Sequence, residues 1–159
     1  MSVGLVEQVT LAIHWREIRS FVPASPFDGC ARDNLGRPPM RMEMTMDTQS
    51  QRYRAEVRRL NDEFRCFGIG RGSLMLTAGI HETGPKFVEE VVRAVQGFNA
   101  FTRDNDPYNE HDFGAFDIGS ERLFFKIDYY DLDLQGHSPD AADPAVTHRV
   151  LTIMLASEY

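Results

Sequence analysis

The chain has 159 residues, of which 42% are hydrophobic and 11% aromatic, and its formal net charge is −7 at pH 7. This length suits one domain, and the apolar fraction is sufficient for a core without metal or disulfide staples. No apolar run approaches the roughly 18 to 20 residues of a membrane span, and no secretory signal is visible. We therefore expect a cytoplasmic protein without membrane contact. Its two cysteines, Cys30 and Cys66, fit no metal-binding spacing and are expected to be free thiols.

The negative charge is concentrated in one segment. Residues 103–143 contain three basic and eleven acidic residues, a net charge of −8, whereas the rest of the chain is close to neutral. Such a surface repels nucleic-acid phosphates and attracts basic partners or cations. We therefore expect no direct nucleic-acid binding through this face. The alternative interpretation is an ordinary solvated surface.

The first 47 residues differ in character from the rest. Val6, Val9 and Ile13 recur at helical spacing, which predicts a short amphipathic helix over residues 3–19. A stretch rich in proline, glycine and aspartate follows and is typical of a loop. We interpret residues 1–47 as an N-terminal extension that is partly disordered or loosely packed. Residues 48–159 are predicted to form a single domain.

A helix is predicted from residue 48 onward. Thr48, with Gln51 three residues later, is typical of a capping box, and Gly68 ends the helical pattern. The residues between 68 and 72 are glycine-rich, but they lie between a helix and a strand. A phosphate loop leads instead from a strand into a helix N-terminus, so we predict a structural turn. The apolar face of the helix is Tyr53, Val57, Leu60 and Phe64.

A strand and a second helix follow. Residues 74–80 form a short apolar run, which predicts a buried strand. Pro85 suits the first turn of a helix, where its missing N–H has no helical partner. The inward face of this helix is predicted to be Phe87, Val91, Val95 and Phe98.

Residues 110–131 predict a β-hairpin. Gly119 and Ser120 suit a type II′ turn, because glycine tolerates the positive φ required at its first central position. In that register Gly114 faces Phe125 and leaves room for its ring. Side chains alternate between the two faces of a strand. The apolar face is then Phe116, Ile118, Leu123, Phe125, Ile127 and Tyr129.

The opposite face of the hairpin carries the candidate catalytic cluster. The register places His111 opposite Asp128, and a carboxylate beside an imidazole orients its tautomer, as in a general base or a metal ligand. The alternative is an ordinary cross-strand pair on a half-exposed face. Neither a metal site nor a cofactor is defined by these residues, so we predict none. The candidate catalytic residues are His111, Asp128, Lys126, Glu110 and Asp112.

Two known motifs are incomplete in this region. Asp112 and Lys126 suit a nuclease core in which an acidic residue precedes an acid-x-Lys strand, but Phe124 occupies the position of the second carboxylate. Asp104 and Asp106 resemble the start of a calcium loop, but the glycine and glutamate that such a loop requires are missing. Neither motif therefore assigns a function.

The C-terminal segment completes the predicted fold. Residues 149–155 are apolar and partly β-branched, which favours a strand over a helix capped by Asp143 and Pro144. The fold class is predicted to be α+β. We expect a small antiparallel-rich sheet of three or four strands with two helices packed on one face.

Several blocks of the chain resemble a known family. These blocks are LNDEFR (60–65), LTAG (76–79), FTRDNDPYNEHDFGAF (101–116), KIDYYD (126–131) and DPAVTHRVLTIMLASEY (143–159). They are similar, in the same order, to the bacterial domain-of-unknown-function family 3768, over about residues 60–159. The resemblance implies a small cytoplasmic bacterial protein that is often encoded near plasmid or other mobile-element genes. It implies no catalytic residue, because the family has no established activity.

Together these features favour a non-enzymatic accessory protein that binds a protein partner. Aromatic residues rimmed by charge suit a protein interface. The family resemblance adds a sharper version, a modulator of a host nucleic-acid-binding or defence protein that imitates phosphate charge. The alternative function is a small metal-assisted hydrolase that uses the candidate catalytic cluster. The predicted binding residues are Phe113, Phe124, Tyr130, Asp104 and Asp106.

Overall fold

The computed structural model describes residues 11–13 and 46–159. A five-stranded sheet runs in the order β1-β2-β5-β4-β3. Its strands are β1 (Leu11–Ile13), β2 (Gly72–Leu76), β3 (Phe113–Ile118), β4 (Glu121–Tyr130) and β5 (His148–Leu155). The helices are α1 (Met46–Phe67), α2 (Ala78–Glu82) and α3 (Pro85–Gly97), and a 3-10 turn follows at Ala156–Glu158. Strands β2 and β5 pair in parallel, and the other neighbouring strands of this sheet are antiparallel.

The core lies between one face of the sheet and the helices. Phe125 and Ile153 of the central strands are fully buried, and Phe64 of α1 packs against them together with Val91 and Val95 of α3. These side chains alternate with residues that point to the opposite face, as the period of a strand requires. The predicted α+β fold, with two main helices on one face of a mostly antiparallel sheet, is confirmed. Among the described elements, no helix covers the other face, which we call the open face.

Both predicted helices are present. α1 begins at Met46 rather than at a Thr48 cap, because Met46 and Asp47 extend it by residues that favour a first helical turn. It ends as predicted at Phe67, where Gly68 has a φ of +62°. α3 begins at Pro85, as predicted. The predicted apolar face of α1 is buried except at Tyr53, which is 43% exposed.

Three further expectations about the fold are wrong within the described residues. Residues 11–13 form a strand rather than part of a helix, because they pair with residues 74–76 of β2. The rest of that predicted helix, and the loop after it, lie outside the described residues. The predicted strand 74–80 ends at Leu76, where the Thr77 N–H bonds to the Ile153 carbonyl and α2 begins, which buries Ile80. Cys66 is disulfide-bonded rather than a free thiol.

The hairpin and the last strand follow their predictions. β3 pairs with β4 in the predicted register, and Gly119 has the expected positive φ of +61°. A Cβ at Gly114 would lie 2.2 Å from the Phe125 ring, so this close approach requires glycine. Residues 148–155 form β5, and turns rather than a helix precede it.

The side-chain carboxylate of Glu158 joins the end of β5 to the start of α2. It accepts hydrogen bonds from the Thr77 hydroxyl (2.6 Å), the Gly79 N–H (2.9 Å) and the Leu155 N–H (3.0 Å). Burial alone would raise the pKa of Glu158, but these hydrogen bonds outweigh it and lower the pKa below its ordinary value. The carboxylate therefore stabilises the fold in its ionised form.

We expect Glu158→Ala to lower the free energy of unfolding by about 1–2 kcal/mol at pH 7, because it leaves two backbone donors unpaired. Because the folded-state pKa is lowered, the loss is present above the ordinary glutamate pKa and disappears as the pH falls through the folded-state value. Urea unfolding at pH 7 and at acidic pH measures both quantities. Glu82→Ala, at an exposed position of α2, is the control and should have little effect. An equal loss in both variants would contradict the proposed role.

Candidate acidic binding surface

One end of the sheet collects most of the acidic residues of the segment 103–143. β3 begins, β4 ends and β5 begins at this end, because β4 is antiparallel to both neighbours. The loops 98–112 and 131–147 therefore lie at the same end. Among the acids of residues 103–143, only Asp117 and Glu121 lie at the opposite end, beside the hairpin turn. We call these two loops, together with Asp128, the acidic end.

The acidic end also exposes large apolar side chains. Tyr108 is 58% exposed, Leu132 40% and Leu134 50%. Asp104 and Asp133 are exposed beside them in the sequence. Sequence analysis missed these apolar residues, although the alternation of aspartate and leucine at residues 131–134 is a visible signal of a polar loop carrying apolar side chains. Exposed apolar groups rimmed by carboxylates are typical of an interaction surface.

The buried side chain of Asp106 fixes the backbone of the loop 98–112 by hydrogen bonds. Its side chain is 2% exposed. It accepts hydrogen bonds from the N–H groups of Glu110 (2.8 Å) and His111 (3.2 Å), and its own N–H donates to the Thr102 carbonyl (2.8 Å). Buried polar groups of this kind fix a loop conformation. Asp106 therefore positions the loop, unlike Asp104, which is exposed as a binding residue must be.

His111 does not pair with Asp128, so that prediction is wrong. β3 begins at Phe113, and His111 adopts a positive φ of +56°, which removes it from the strand register. Its Nδ1 lies 2.9 Å from Oδ2 of Asp62 on α1. Its ring stacks on Phe101 with centroids 3.7 Å apart. His111 therefore fastens the first loop to α1 on the helix-covered side of the sheet.

Asp62 also neutralises a buried arginine. Arg65, 2% exposed, donates to Asp62 at 2.9 Å, to the Gln96 carbonyl at 3.2 Å and to the Val95 carbonyl. Burial would raise the pKa of Asp62, but the hydrogen bonds from His111 and Arg65 outweigh it and lower the pKa below its ordinary range. Asp62 is thus held as a carboxylate between two donors.

A second buried hydrogen-bond network, centred on Asn61, extends to the loop 131–147. Asn61, fully buried, donates to the Glu110 carbonyl (2.8 Å) and to the Tyr129 hydroxyl (2.7 Å). Its side-chain oxygen accepts a hydrogen bond from Arg149 Nε at 3.0 Å, and Arg149 also donates to the Ala141 carbonyl. Burial lowers the pKa of Arg149 and raises that of Tyr129. Asn61 and Asp62 of α1 therefore contact the loop 98–112 directly, and Asn61 is linked to the loop 131–147 through Arg149.

The predicted catalytic cluster is divided between the two faces of the sheet. Lys126 and Asp128 lie on the open face and form an ion pair at 2.9 Å, whereas His111 lies on the helix-covered side. Burial, assisted by neighbouring carboxylates, raises the pKa of both Glu110 and Asp112. Within residues 46–159, no group of three or more His, Cys, Asp and Glu side chains is placed to hold a metal ion.

We expect Asp112→Asn to stabilise the protein at pH 7 by on the order of 0.5 kcal/mol. Because the folded state raises the pKa of Asp112, the ionised carboxylate opposes folding at neutral pH, and asparagine removes that cost. The added stability of the Asp112→Asn variant should become smaller as the pH falls and Asp112 becomes protonated in the folded wild type. Thermal melts of both proteins across the acidic pH range measure this difference, and a variant less stable than wild type at pH 7 would contradict it.

The predicted binding aromatics lie in two places. Phe113 and Phe124 are half-buried neighbours on the open face, with ring centroids 5.6 Å apart. Tyr159, 77% exposed, packs edge-on against both rings. Tyr130 lies instead at the acidic end, where its ring is nearly parallel to that of His137 at 6.4 Å. Sequence analysis missed the contribution of Tyr159.

The fold and this surface define a small α+β domain with an acidic end. The chain belongs to the family described as protein of unknown function (DUF3768), which matches residues 76–158. The block at residues 60–65 lies outside that match. No curated protein and no solved structure matches the chain. In the part of the chain that the structure describes, no helix has the length and apolar character needed to cross a membrane.

Proposed function

We propose that this protein acts by binding a protein partner, and that its acidic end contacts a basic surface of that partner. The observation that carries this proposal is that two loops rich in carboxylates lie at one end of the sheet and expose Tyr108, Leu132 and Leu134. Carboxylates steer a basic partner and set its orientation, whereas apolar side chains contribute affinity when they are buried. The two parts of an interface are thus present on one surface.

The buried networks of Asn61 and Asp62 support this role. A loop that must order itself during binding pays an entropic cost, and a loop already held in place avoids much of it. Hydrogen bonds from α1 and β5 hold the backbone of both loops at Glu110 and Ala141. The acidic end is therefore presented on a rigid support.

The finer form of the proposal concerns the class of partner. A dense row of carboxylates can imitate the phosphates of a nucleic acid, so a nucleic-acid-binding protein of the host, including a defence protein, would offer the complementary basic surface. The association with mobile elements that the family resemblance implies motivates this version. Direct binding of the acidic end to nucleic acid is not expected, for the same electrostatic reason.

A cytoplasmic location forms part of this proposal. The disulfide at Cys66 weighs against it, because disulfides persist mainly in oxidising compartments. Fractionation of the native host would decide the point. Recovery from an extracellular or periplasmic fraction would contradict the location and would direct the search for a partner to that compartment.

The test is capture of partners from a host lysate with tagged protein, washed at low and at high salt. Exposed charges are screened by salt, so a specific partner should be retained at low salt and depleted at high salt. The matched variants are Asp104→Asn with Asp133→Asn at the acidic end, and Asp117→Asn with Glu121→Gln at the opposite end. Loss of the partner only in the acidic-end variant is the expected result. Absence of a retained protein at low salt, or equal loss in both variants, would contradict the proposal.

A second candidate function is acid–base catalysis, favoured by the contact between Asp62 and His111. The carboxylate fixes the tautomer of the imidazole, which is a requirement for a general base. The metal-assisted form that the sequence suggested has no support from the geometry, because no three such side chains among residues 46–159 are placed to hold an ion. A metal that binds only the folded state must raise the melting temperature, so a panel of divalent cations tests that form. If no divalent cation raised the melting temperature of the wild-type protein at neutral pH, the metal-assisted form would be contradicted.

A further inference from the structure

The outer edge of β3 carries backbone groups that bond to nothing in the described part of the chain. A two-residue turn places its flanking residues, Ile118 and Glu121, in a hydrogen-bonded pair, and such pairs recur at every second residue. The Ile127 N–H donates a hydrogen bond to the Asp112 carbonyl at 2.7 Å, as expected if Asp112 and Ile127 continue this series of hydrogen-bonded pairs. The backbone groups of Gly114 and Phe116 therefore point to β4.

The intervening residues point the other way. Phe113, Ala115 and Asp117 direct their N–H and C=O groups away from β4, and β3 is the last of the described strands on that side of the sheet. Asp117 is exposed, and Phe113 and Ala115 are only half-buried. An edge of this kind is a template for another strand.

We propose that β3 pairs with β3 of a second copy of this chain, antiparallel and centred on Ala115, so that two sheets join into one. This inference is independent of the proposed partner-binding function. In this register Ala115 faces its own symmetry mate and Phe113 faces Asp117 of the other copy. It is the symmetric register in which all three outward-facing residues of each chain are paired. Identical patches meeting across a two-fold axis are the commonest arrangement in homodimers.

Charge favours this arrangement over the alternatives. Antiparallel pairing places the two acidic ends at opposite ends of the joined sheet, whereas parallel pairing would bring them side by side. A symmetric register centred on Asp117 would set two carboxylates directly opposite each other, which is destabilising. The Asp117–Arg122 ion pair, at 2.8 Å, remains intact in the proposed register because it lies between β3 and β4 of one chain.

A second copy fits this edge because the pattern of outward-facing N–H and C=O groups is self-complementary in an antiparallel pair. A peptide from another protein could use the same backbone groups, but no feature of the edge selects its sequence. The two occupants differ in a measurable way, since only self-pairing changes the mass of the purified protein. A peptide occupant is therefore one outcome that would overturn the proposal.

The experiment measures the molecular mass of the protein in solution and the effect on that mass of charged substitutions at Ala115. Sedimentation equilibrium of wild type should show the mass rising from 18.1 kDa to twice that value as concentration increases. Ala115→Lys and Ala115→Asp should each weaken self-association at least tenfold, because like charges then meet across the axis. An equimolar mixture of the Ala115→Lys and Ala115→Asp variants should associate again, as a heterodimer in which opposite charges meet across the axis. Recovery in the mixture is a result that a general loss of folding would not produce.

Hydrogen exchange of wild type provides a second readout that needs no substitution. At low concentration the amides of Phe113, Ala115 and Asp117 should exchange quickly, whereas those of Gly114 and Phe116 are protected by β4. At high concentration the first set should become protected. A mass that remains 18.1 kDa at all concentrations would overturn the proposal. A dimer that both single variants leave intact, or protection at another edge, would do the same.

Discussion

Asp62→Ala should lower the free energy of unfolding by about 3 kcal/mol, one of the two largest effects that we expect from a single substitution. The change removes the carboxylate that neutralises Arg65, whose side chain is 2% exposed. Removing one partner of a buried ion pair typically costs about 3–5 kcal/mol, because the remaining charge is buried without compensation. We expect the lower end of that range, because Asp62 itself is 30% exposed. Urea unfolding at pH 7 measures the difference.

A matched pair on the same helix provides the control. Glu56 and Arg59 have the same three-residue spacing and an equally direct contact, at 2.7 Å, but both side chains are largely exposed. Glu56→Ala should therefore cost less than about 1 kcal/mol. The double variant Asp62→Ala, Arg65→Met should recover part of the loss, since it removes both charges. Equal costs for Asp62→Ala and Glu56→Ala would show that burial of Arg65 is not the cause.

The same substitution has a defined pH dependence. The pKa of Asp62 is lowered in the folded state by hydrogen bonds from His111 and Arg65, which outweigh the effect of burial. The stabilisation by its carboxylate is therefore complete above the ordinary aspartate pKa and is lost as the pH falls through the folded-state value. The difference in the free energy of unfolding between wild type and Asp62→Ala should therefore become smaller over the same pH range. A difference that widened toward acidic pH would contradict this assignment.

Gly114→Ala is expected to cost about 2–3 kcal/mol, although it adds only one methyl group. The new Cβ would lie 2.2 Å and 2.6 Å from two ring atoms of Phe125, and 2.8 Å from the Phe98 ring. Phe125 is fully buried, so its ring cannot move without disturbing the packing around it. Thermal unfolding measures the loss.

Gly97→Ala is the control for the intrinsic effect of replacing glycine. Nothing lies within 4 Å of a Cβ at that position, which is the last residue of α3. Alanine favours a helix over glycine, so this variant should be unchanged or more stable, by up to about 1 kcal/mol. If both variants behaved alike, contact with the Phe125 ring would not explain the cost at Gly114.

The hairpin was predictable from sequence because its determinants are local. Gly119 and Ser120 define the turn, and the alternation of apolar residues on either side then determines the register. The space beneath the Phe125 ring followed from that register alone. Residues 11–13 were misassigned because their pairing with β2 is a contact between distant parts of the chain, which no local pattern records.

The networks at the acidic end escaped prediction for a similar reason. Asp62 and His111 are 49 residues apart, and Asn61 and Arg149 are 88 apart. The backbone of His111 also leaves the strand conformation, which periodicity alone does not indicate. One signal was present, since Asn61 and Arg65 interrupt the buried face of α1 next to Leu60 and Phe64. Polar residues at core positions indicate a buried hydrogen-bond network.

The most direct test of the central claim is to map the surface that a captured partner covers. Amide spectra of isotopically labelled protein, titrated with the purified partner, should change at Tyr108, at residues 131–134 and at Asp104. The amides of Gly119 and Ser120, at the opposite end of the sheet, should be unaffected and serve as the internal reference. Salt should reduce the changes, because exposed carboxylates are screened. Changes confined to the hairpin turn or to the open face would contradict an interaction through the acidic end.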